Sequence, residues 1–175
     1  MTTFVVMAGL PGTGKTTLAR ALAARLGGVV LSKDEVRAVL FPGELTDYTT
    51  EQDDLCMEVI LSAAAYSAKH VHVPYIFLDG RVFSRAYQIE RVIDAAEACG
   101  APWKILHLAV PDEVARERLE SADAVHHPAG NRDFQLYQEV KARLEPITRP
   151  KLDVDTSRPL EECVEKCAEL LRDGR

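Results

Sequence analysis

Residues 9–16, with the sequence GLPGTGKT, match the pattern G-x-x-x-x-G-K-[ST] at every fixed position. A β-branched, apolar run at 3–8 precedes this segment, and apolar residues at helical spacing follow it over 15–26. A strand, a glycine-rich loop and a helix in this order favour phosphate binding, because glycine lets backbone N–H groups close around phosphate oxygens. The chain is therefore predicted to build a nucleotide site at the end of its first strand.

The side chains of this loop indicate a nucleoside triphosphate with Mg²⁺. We expect Lys15 to contact the β- and γ-phosphates and Thr16 to bind the metal ion. The other predicted nucleotide contacts in and after the loop are Gly9, Leu10, Pro11, Gly12, Thr13, Gly14 and Thr17. ATP is expected rather than GTP, because the chain has no [NT]-K-x-D element for guanine. The predicted cofactors are therefore ATP and Mg²⁺.

Asp79 is the predicted second ligand of the metal ion. It ends the apolar run Tyr75-Ile76-Phe77-Leu78, and a carboxylate at the end of a second strand commonly couples to Mg²⁺ in such sites. An apolar strand that ends in an aspartate for no catalytic reason is the alternative. Thr16 and Asp79 are together the predicted metal ligands.

Strand-like and helix-like segments alternate along the rest of the chain. Predicted strands lie at 3–8, 29–32, 75–79, 104–110 and 152–155, and predicted helices at 15–26, 33–40, 50–69, 84–99, 111–119 and 159–172. Strands separated by helices need crossover connections, which favour a parallel sheet covered on both faces. We predict an α/β, three-layer, doubly wound fold with a parallel five-stranded sheet. Residues 1–175 form a single predicted domain, with a small helical lid at about 114–143.

Composition and charge restrict the class of partner. The 175 residues are 47% apolar and 27% charged, which suits one domain with a buried core. The net charge of −6 provides no overall basic field for nucleic acid, so a small-molecule partner is favoured and a nucleic-acid end stays open. No membrane-spanning run or signal-peptide pattern is found, so no membrane partner is expected and a cytoplasmic location is predicted. The oligomeric state is left open.

A second motif, SKDEVR at 32–37, places Asp34 and Arg37 on one face at the start of a helix. With the loop, Asp79 and an arginine-bearing segment at 114–132, this motif makes nearly the whole chain resemble small P-loop kinases. These form an AAA_33-like group around polynucleotide kinase, chloramphenicol phosphotransferase, gluconate kinase and zeta-toxin-like kinases. The resemblance implies Asp34 as the general base and Arg37 as a contact to the acceptor or to phosphate. An aspartate that stabilises only the first helical turn is the alternative.

The same resemblance implies a set of arginines around the reaction. Arg81, two residues after Asp79, is expected to contact the acceptor. Arg118 and Arg132 are preferred over Arg116 as the lid arginines that reach the phosphates. Alternating charges on a helix also form solvated salt bridges, and this alternative remains for all three lid arginines.

Two further features are interpreted with alternatives. Thr156 and Arg158 lie in a DTSRP segment that resembles the strand-turn-helix cradling adenine in these kinases, although the same residues are typical of a helix start. His126 and His127 lie in the predicted lid, where adjacent histidines are either passive surface residues or acid–base and metal-binding groups. Their role is left open.

These features support three functions. The first is an ATP-dependent phosphotransferase that moves the γ-phosphate to a hydroxyl of a small molecule such as a sugar, nucleoside or antibiotic-like alcohol. The second is a 5′-hydroxyl polynucleotide kinase, which requires a positive channel leading to Asp34. The third is a regulatory ATP-binding switch or ATPase without an acceptor, in which loss of Asp34 leaves turnover nearly unchanged.

Overall fold

A computed structural model describes residues 1–121 and 133–173 of the chain. In this part the sheet has five parallel strands: β1 Thr3–Ala8, β2 Val29–Ser32, β3 Tyr75–Asp79, β4 Trp103–Ala109 and β5 Leu152–Asp155. The helices are α1 Lys15–Leu26, α2 Lys33–Leu40, α3 Thr50–His70, α4 Ala86–Ala98, α5 Asp112–Glu120, α6 Phe134–Ala142 and α7 Leu160–Asp173. The strand order is β2-β3-β1-β4-β5, so the predicted doubly wound, parallel α/β fold is confirmed.

The central strand β1 explains why helices cover both faces of the sheet. Phe4 and Val6 pack into the cluster beneath α3 and α4, whereas Val5 and Met7 pack into the cluster beneath α1 and α7. Side chains alternate between the two faces of a strand, so an uninterrupted apolar run makes both faces apolar. None of the helices within 1–121 and 133–173 has the length and apolar run needed to span a bilayer.

The carboxyl ends of the three strands β1, β2 and β3 bring the main sequence motifs together. The glycine-rich loop follows β1, and α2 with Asp34 follows β2 directly. Ser32 at the end of β2 is in register with Asp79 at the end of β3. Ligands of open parallel sheets bind at this edge, so the fold gathers the predicted site residues where such a site is expected.

Helix α6 was not among the helices predicted from the sequence. Asp133 caps its first turn, and the Asp133 carboxylate accepts from Leu136 N at 2.7 Å. The helix packs on α5, where the Tyr137 hydroxyl donates to Asp112 Oδ1 at 2.7 Å. Burial and this hydrogen bond raise the pKa of Tyr137 to about 12. Its apolar side chains pack against α5, Leu10 and Val110, and over nine residues they form too short a stripe for local spacing to reveal.

Gly80 sets the distance between the end of β3 and the start of α2. Its φ is +89°, and an added Cβ would lie 2.9 Å from Lys33 N and 3.0 Å from Asp34 N. Gly100 also has a positive φ, +69°, but no atom lies within 4 Å of its added Cβ. An alanine at either position would therefore strain the backbone, but only an alanine at Gly80 would also contact neighbouring atoms.

Gly80→Ala is expected to destabilise the fold more than Gly100→Ala. The left-handed backbone costs roughly 1–2 kcal/mol at either position. The contact with the α2 backbone adds about 1–3 kcal/mol at Gly80 alone. Urea unfolding of both variants measures the difference, and equal free energies of unfolding would contradict the close packing of β3 against α2.

Candidate active site

The glycine-rich loop forms a backbone cradle at the end of β1. Gly9 has a φ of +144°, and an added Cβ would lie 2.5 Å from the carbonyl oxygen of Leu108, so only glycine fits there. Lys15 is buried, and its Nζ donates to the carbonyl oxygens of Gly9 and Leu10, at 2.8 Å each. The loop thus holds its ammonium group at the mouth of the cradle, next to the N-terminus of α1.

Thr16 and Asp79 form the candidate metal site. The Thr16 hydroxyl donates to Asp79 Oδ2 at 2.7 Å. Asp79 is buried, and its Oδ1 has no hydrogen-bond partner among the described residues. A buried carboxylate oxygen without a donor is costly unless a ligand satisfies it, and oxygen ligands of this kind suit Mg²⁺. The pair therefore fits the predicted metal ion on the chemistry of its donors.

A cavity of about 290 Å³ lies on one side of the loop. It is lined by Gly14, Thr17, Leu18, Arg118, Thr156, Arg158, Leu160 and Cys163. The Thr156 hydroxyl donates to Thr13 O at 2.7 Å, which ties the turn after β5 to the loop. Arg118 Nη2 donates to Thr156 O at 2.7 Å and Nη1 to Gly12 O at 3.4 Å. Arg118 therefore lies next to Thr156 and Arg158, which the sequence assigned to the adenine of the nucleotide.

A larger groove of about 720 Å³ runs along β5 and α7, and no residue of the phosphate loop lines it. Its lining includes five carboxylates, Asp153, Asp155, Glu162, Glu165 and Glu169, and two cations, Arg158 and Lys166. Excess negative charge repels phosphate. The smaller cavity beside the loop is the better candidate for a nucleotide.

A second cavity of about 180 Å³ lies on the other side of Lys15. Lys15, Asp34, Arg37 and Arg81 line it, together with Tyr48, Gln88 and residues of α6. The Asp34, Arg37 and Arg81 side chains are only 4%, 5% and 5% exposed. The fold thus brings the predicted base and both predicted acceptor contacts into one buried space that reaches the phosphate loop.

Four charged side chains at this cavity form one network. Arg37 Nη1 lies 3.3 Å from Asp34 Oδ1, and Arg37 Nη2 pairs with Asp53 Oδ1 on α3. Lys33 Nζ lies 2.9 Å from Asp53 Oδ1 and 3.5 Å from Asp34 Oδ1. Two cations therefore face two carboxylates, and removing any one of them leaves a buried charge uncompensated.

Arg81 is held by a separate set of contacts. Its Nη1 lies 2.6 Å from Asp54 Oδ1 on α3, and its Nη2 lies 3.4 Å from the Tyr87 hydroxyl on α4. The Tyr87 hydroxyl in turn donates to Asp54 Oδ2 at 3.2 Å. Helices α3 and α4 thus fix the guanidinium of Arg81 in the cavity wall.

The sequence-based prediction missed several residues of this site. Lys33 and Asp53 belong to the charged network, and Arg143, just after α6, lines the same cavity. Lys33 adjoins the predicted base, which was a usable signal. Asp53 and Arg143 come from distant segments, so no local pattern identified them. Of the lid arginines, Arg116 stacks on the Phe134 ring at 4.3 Å, whereas Arg132, His126 and His127 lie outside the described residues.

Burial lowers the pKa of Lys33 to about 8, with Asp34 opposing the shift and Arg37 and Arg81 reinforcing it. The unfolded chain keeps this proton to about pH 10.5. Between these values the unfolded state binds more protons, so the contribution of Lys33 to stability rises with pH.

Lys33→Met is therefore expected to remove a pH-dependent contribution to stability. The free energy of unfolding of the wild type, minus that of Lys33→Met, should rise above about pH 8 by up to ~1.4 kcal/mol per pH unit. Urea titrations between about pH 7 and pH 10 measure this difference. The exposed Lys69→Met serves as the control, and a difference for Lys33→Met that is independent of pH would count against the shifted pKa.

The loop, the Thr16–Asp79 pair and the sheet define a P-loop nucleotide-binding protein of the kinase-like fold. The chain belongs to the AAA domain family AAA_33, whose model matches residues 4–147. The predicted resemblance to small P-loop kinases is thereby confirmed. No curated protein matches the sequence significantly.

Solved structures share the fold at low sequence identity. A candidate kinase from Chloroflexus aurantiacus has a TM-score of 0.74 and 23% identity, covering 96% of this chain and 97% of that one. A sugar kinase from Janibacter has a TM-score of 0.70 and 23% identity, covering 98% and 95%. A gluconokinase from Sinorhizobium meliloti has a TM-score of 0.70 and 19% identity, covering 98% and 91%. The resemblance extends over nearly the whole of each chain.

Proposed function

We propose that this protein is an ATP-dependent kinase that transfers the γ-phosphate to a hydroxyl group of a small molecule. The observation that supports this most is that Lys15 of the phosphate loop and Asp34, the predicted base, line the same cavity. An alcohol bound in this cavity would therefore lie between Asp34, which can take its proton, and the phosphate site. A nucleotide switch has no need for such a second cavity.

The proposed nucleotide occupies the loop and the cavity between α1 and the turn after β5. When bound, MgATP supplies the phosphoryl group and a divalent charge that offsets its phosphate oxygens. Thr16 and Asp79 hold the metal ion, and backbone N–H groups at the start of α1 bind the phosphates. Arg118 is held by Gly12 O and Thr156 O, and it forms part of the wall of the cavity proposed for adenine.

Asp34 is the proposed general base. It binds the acceptor hydroxyl and takes its proton as the hydroxyl oxygen bonds to the γ-phosphorus and ADP leaves. Arg37, 3.3 Å from Asp34 Oδ1, keeps this carboxylate in position. Lys15 contacts the transferred phosphoryl group from the side of the loop. A preorganised cation in a buried site stabilises the charge that develops in the transition state. Arg132 remains a proposed further phosphate contact.

The cavity lined by Lys15 and Asp34, which we call the acceptor cavity, has a size that favours a small molecule. The volume of about 180 Å³ is below the roughly 300–1,000 Å³ that is usual for pockets of drug-sized ligands. Its walls come from three directions, since α2, the segment after β3 and α6 all contribute residues. The similar sugar kinase and gluconokinase act, by their names, on small molecules. A sugar-like or nucleoside-like alcohol therefore fits better than a polynucleotide end.

The proposal is tested with γ-labelled ATP and Mg²⁺ against panels of sugars, sugar acids, nucleosides and 5′-hydroxyl oligonucleotides. Label is expected on one class of small alcohol. Label on the oligonucleotides would support polynucleotide kinase activity instead. Release of label only to water, at a rate unaffected by Asp34→Asn, would support a regulatory ATPase and reject the kinase proposal.

A further inference from the structure

The acceptor cavity is lined by more cations than carboxylates. Lys15, Lys33, Arg37, Arg81 and Arg143 line it, against Asp34 and Asp53. Lys15 belongs to the phosphate loop, which leaves four cations to face the acceptor. A cavity for a neutral alcohol needs hydrogen bonds but no surplus of positive charge, because buried charges are costly unless they are paired.

Most of these cations already have a partner. Lys33 and Arg37 share Asp34 and Asp53, and Arg81 pairs with Asp54 behind the cavity wall. Arg143 is different. Within the described residues its guanidinium makes no hydrogen bond or ion pair, although the residue lines the cavity and is exposed to solvent. Among the four cations other than Lys15, it is the one that pairs with no described carboxylate.

Two donors of the buried arginines are also unsatisfied. Arg37 Nε and Arg81 Nε have no hydrogen-bond partner among the described residues, although both side chains are 5% exposed. Arginine presents a planar fork of donors that matches carboxylate and phosphate oxygens. Arg37 and Arg81 therefore keep donors that their carboxylate partners leave unused, and both side chains line the same cavity as Arg143.

The backbone on both sides of Arg143 is anchored. Before it, Lys141 on α6 pairs with Asp112 Oδ1 on α5 at 2.6 Å. After it, Glu145 N donates to Ser84 O at 2.9 Å, and Glu145 Oε2 accepts from Ala86 N at 2.7 Å at the start of α4. Arg143 therefore projects from a fixed position on the cavity rim, which is what recognition of a defined anionic group requires.

We infer that the acceptor is a small anionic alcohol, a hydroxy acid or a phosphorylated alcohol, whose anionic group is bound by Arg143 beside Arg37 and Arg81. This inference rests on the proposed function, because it identifies the occupant of the acceptor cavity. The hydroxyl group lies at Asp34 and the anionic group lies towards α6. Carboxylate and phosphate share the chemistry that these arginines recognise.

Calorimetry with protein saturated by Mg²⁺ and AMP-PNP tests the charge preference without requiring transfer. The probes are glucose, gluconate and glucose 6-phosphate, which share a six-carbon polyhydroxy skeleton and present a neutral, a carboxylate and a phosphate group. At least one anionic probe should bind about tenfold or more tightly than glucose, as expected for a charge-assisted hydrogen bond. The stronger of the two identifies the anion.

Arg143→Gln should weaken the binding of that anionic probe about tenfold or more. The affinities for glucose and AMP-PNP should stay unchanged. Arg143→Lys, which keeps the charge, should restore part of the loss. Arg149→Gln is the matched control, because Arg149 is an exposed arginine paired with Glu90 outside the cavity.

Two results overturn the inference: no anionic probe binds more tightly than glucose, or Arg143→Gln binds the anions as well as the wild type does. Parallel assays with γ-labelled ATP separate this from the proposed function. Efficient labelling of neutral alcohols alone rejects the anionic acceptor and keeps the kinase. Anion binding that depends on Arg143, without label transfer to any alcohol, keeps the anion site and rejects the kinase.

Discussion

Asp34→Asn is expected to lower kcat for acceptor phosphorylation by roughly 10²–10⁴-fold, the usual contribution of a general base. Asparagine keeps the shape of the side chain but cannot take the proton of the hydroxyl group. The affinity for ATP should change little, because Asp34 lines the acceptor cavity and not the cavity beside Thr156. Single-turnover transfer from γ-labelled ATP measures the first quantity, and equilibrium binding of a fluorescent ATP analogue measures the second.

The charge network adds a requirement to this experiment. Asp34 pairs with Arg37 and Lys33 in a buried site, so Asp34→Asn also leaves these cations with less negative charge. Urea unfolding must show that the variant is folded at the assay temperature. Asp94→Asn, at an exposed position on α4, is the control. A folded Asp34→Asn enzyme that phosphorylates its acceptor at the normal rate would disprove the assignment of the base.

Lys15→Met is expected to reduce kcat/KM for ATP by roughly 10²–10³-fold or more, by analogy with removal of a preorganised donor that stabilises developing charge. Methionine fills a similar volume but donates no hydrogen bond. The Lys15 ammonium is buried and is directed by the carbonyl oxygens of Gly9 and Leu10.

The same transfer and binding assays apply to Lys15→Met. Lys69→Met, at an exposed position near the end of α3, should behave as the wild type. Lys15→Arg is expected to restore little activity, because a guanidinium group does not fit the space of a compact ammonium group. Normal turnover by Lys15→Met would mean that the loop does not bind the transferred phosphate.

These predictions separate the two halves of the proposed reaction. In the proposed reaction Lys15 acts at the phosphates and Asp34 at the hydroxyl, although both line one cavity. If both variants lose transfer but only Lys15→Met loses nucleotide binding, the two roles are distinct. Equal loss of ATP binding in both would indicate that Asp34 belongs to the nucleotide site.

The sequence predicted the strands well because their signals are local. The boundaries of β1, β2, β3 and β5 agree with the prediction, and β4 differs by one residue at each end. Helix α4 begins at Ala86 and not at residue 84, because the chain is still extended at Arg85 and Gln88 accepts a hydrogen bond from Arg85 N. Such a cap is difficult to predict from spacing alone. The extent of the predicted lid remains a prediction.

The sequence by itself determined the sheet, the phosphate loop and the family. The loop is one contiguous segment whose glycines and lysine act together wherever the strand and helix form, and buried strands are recognised from their own apolar runs. Only the tertiary structure decided the composition of the acceptor cavity. Asp53 and Arg143 are far apart in the chain, and each has an ordinary local sequence. Parallel strands and crossover helices bring them together with Asp34, so their place in one cavity follows from the fold and not from local sequence.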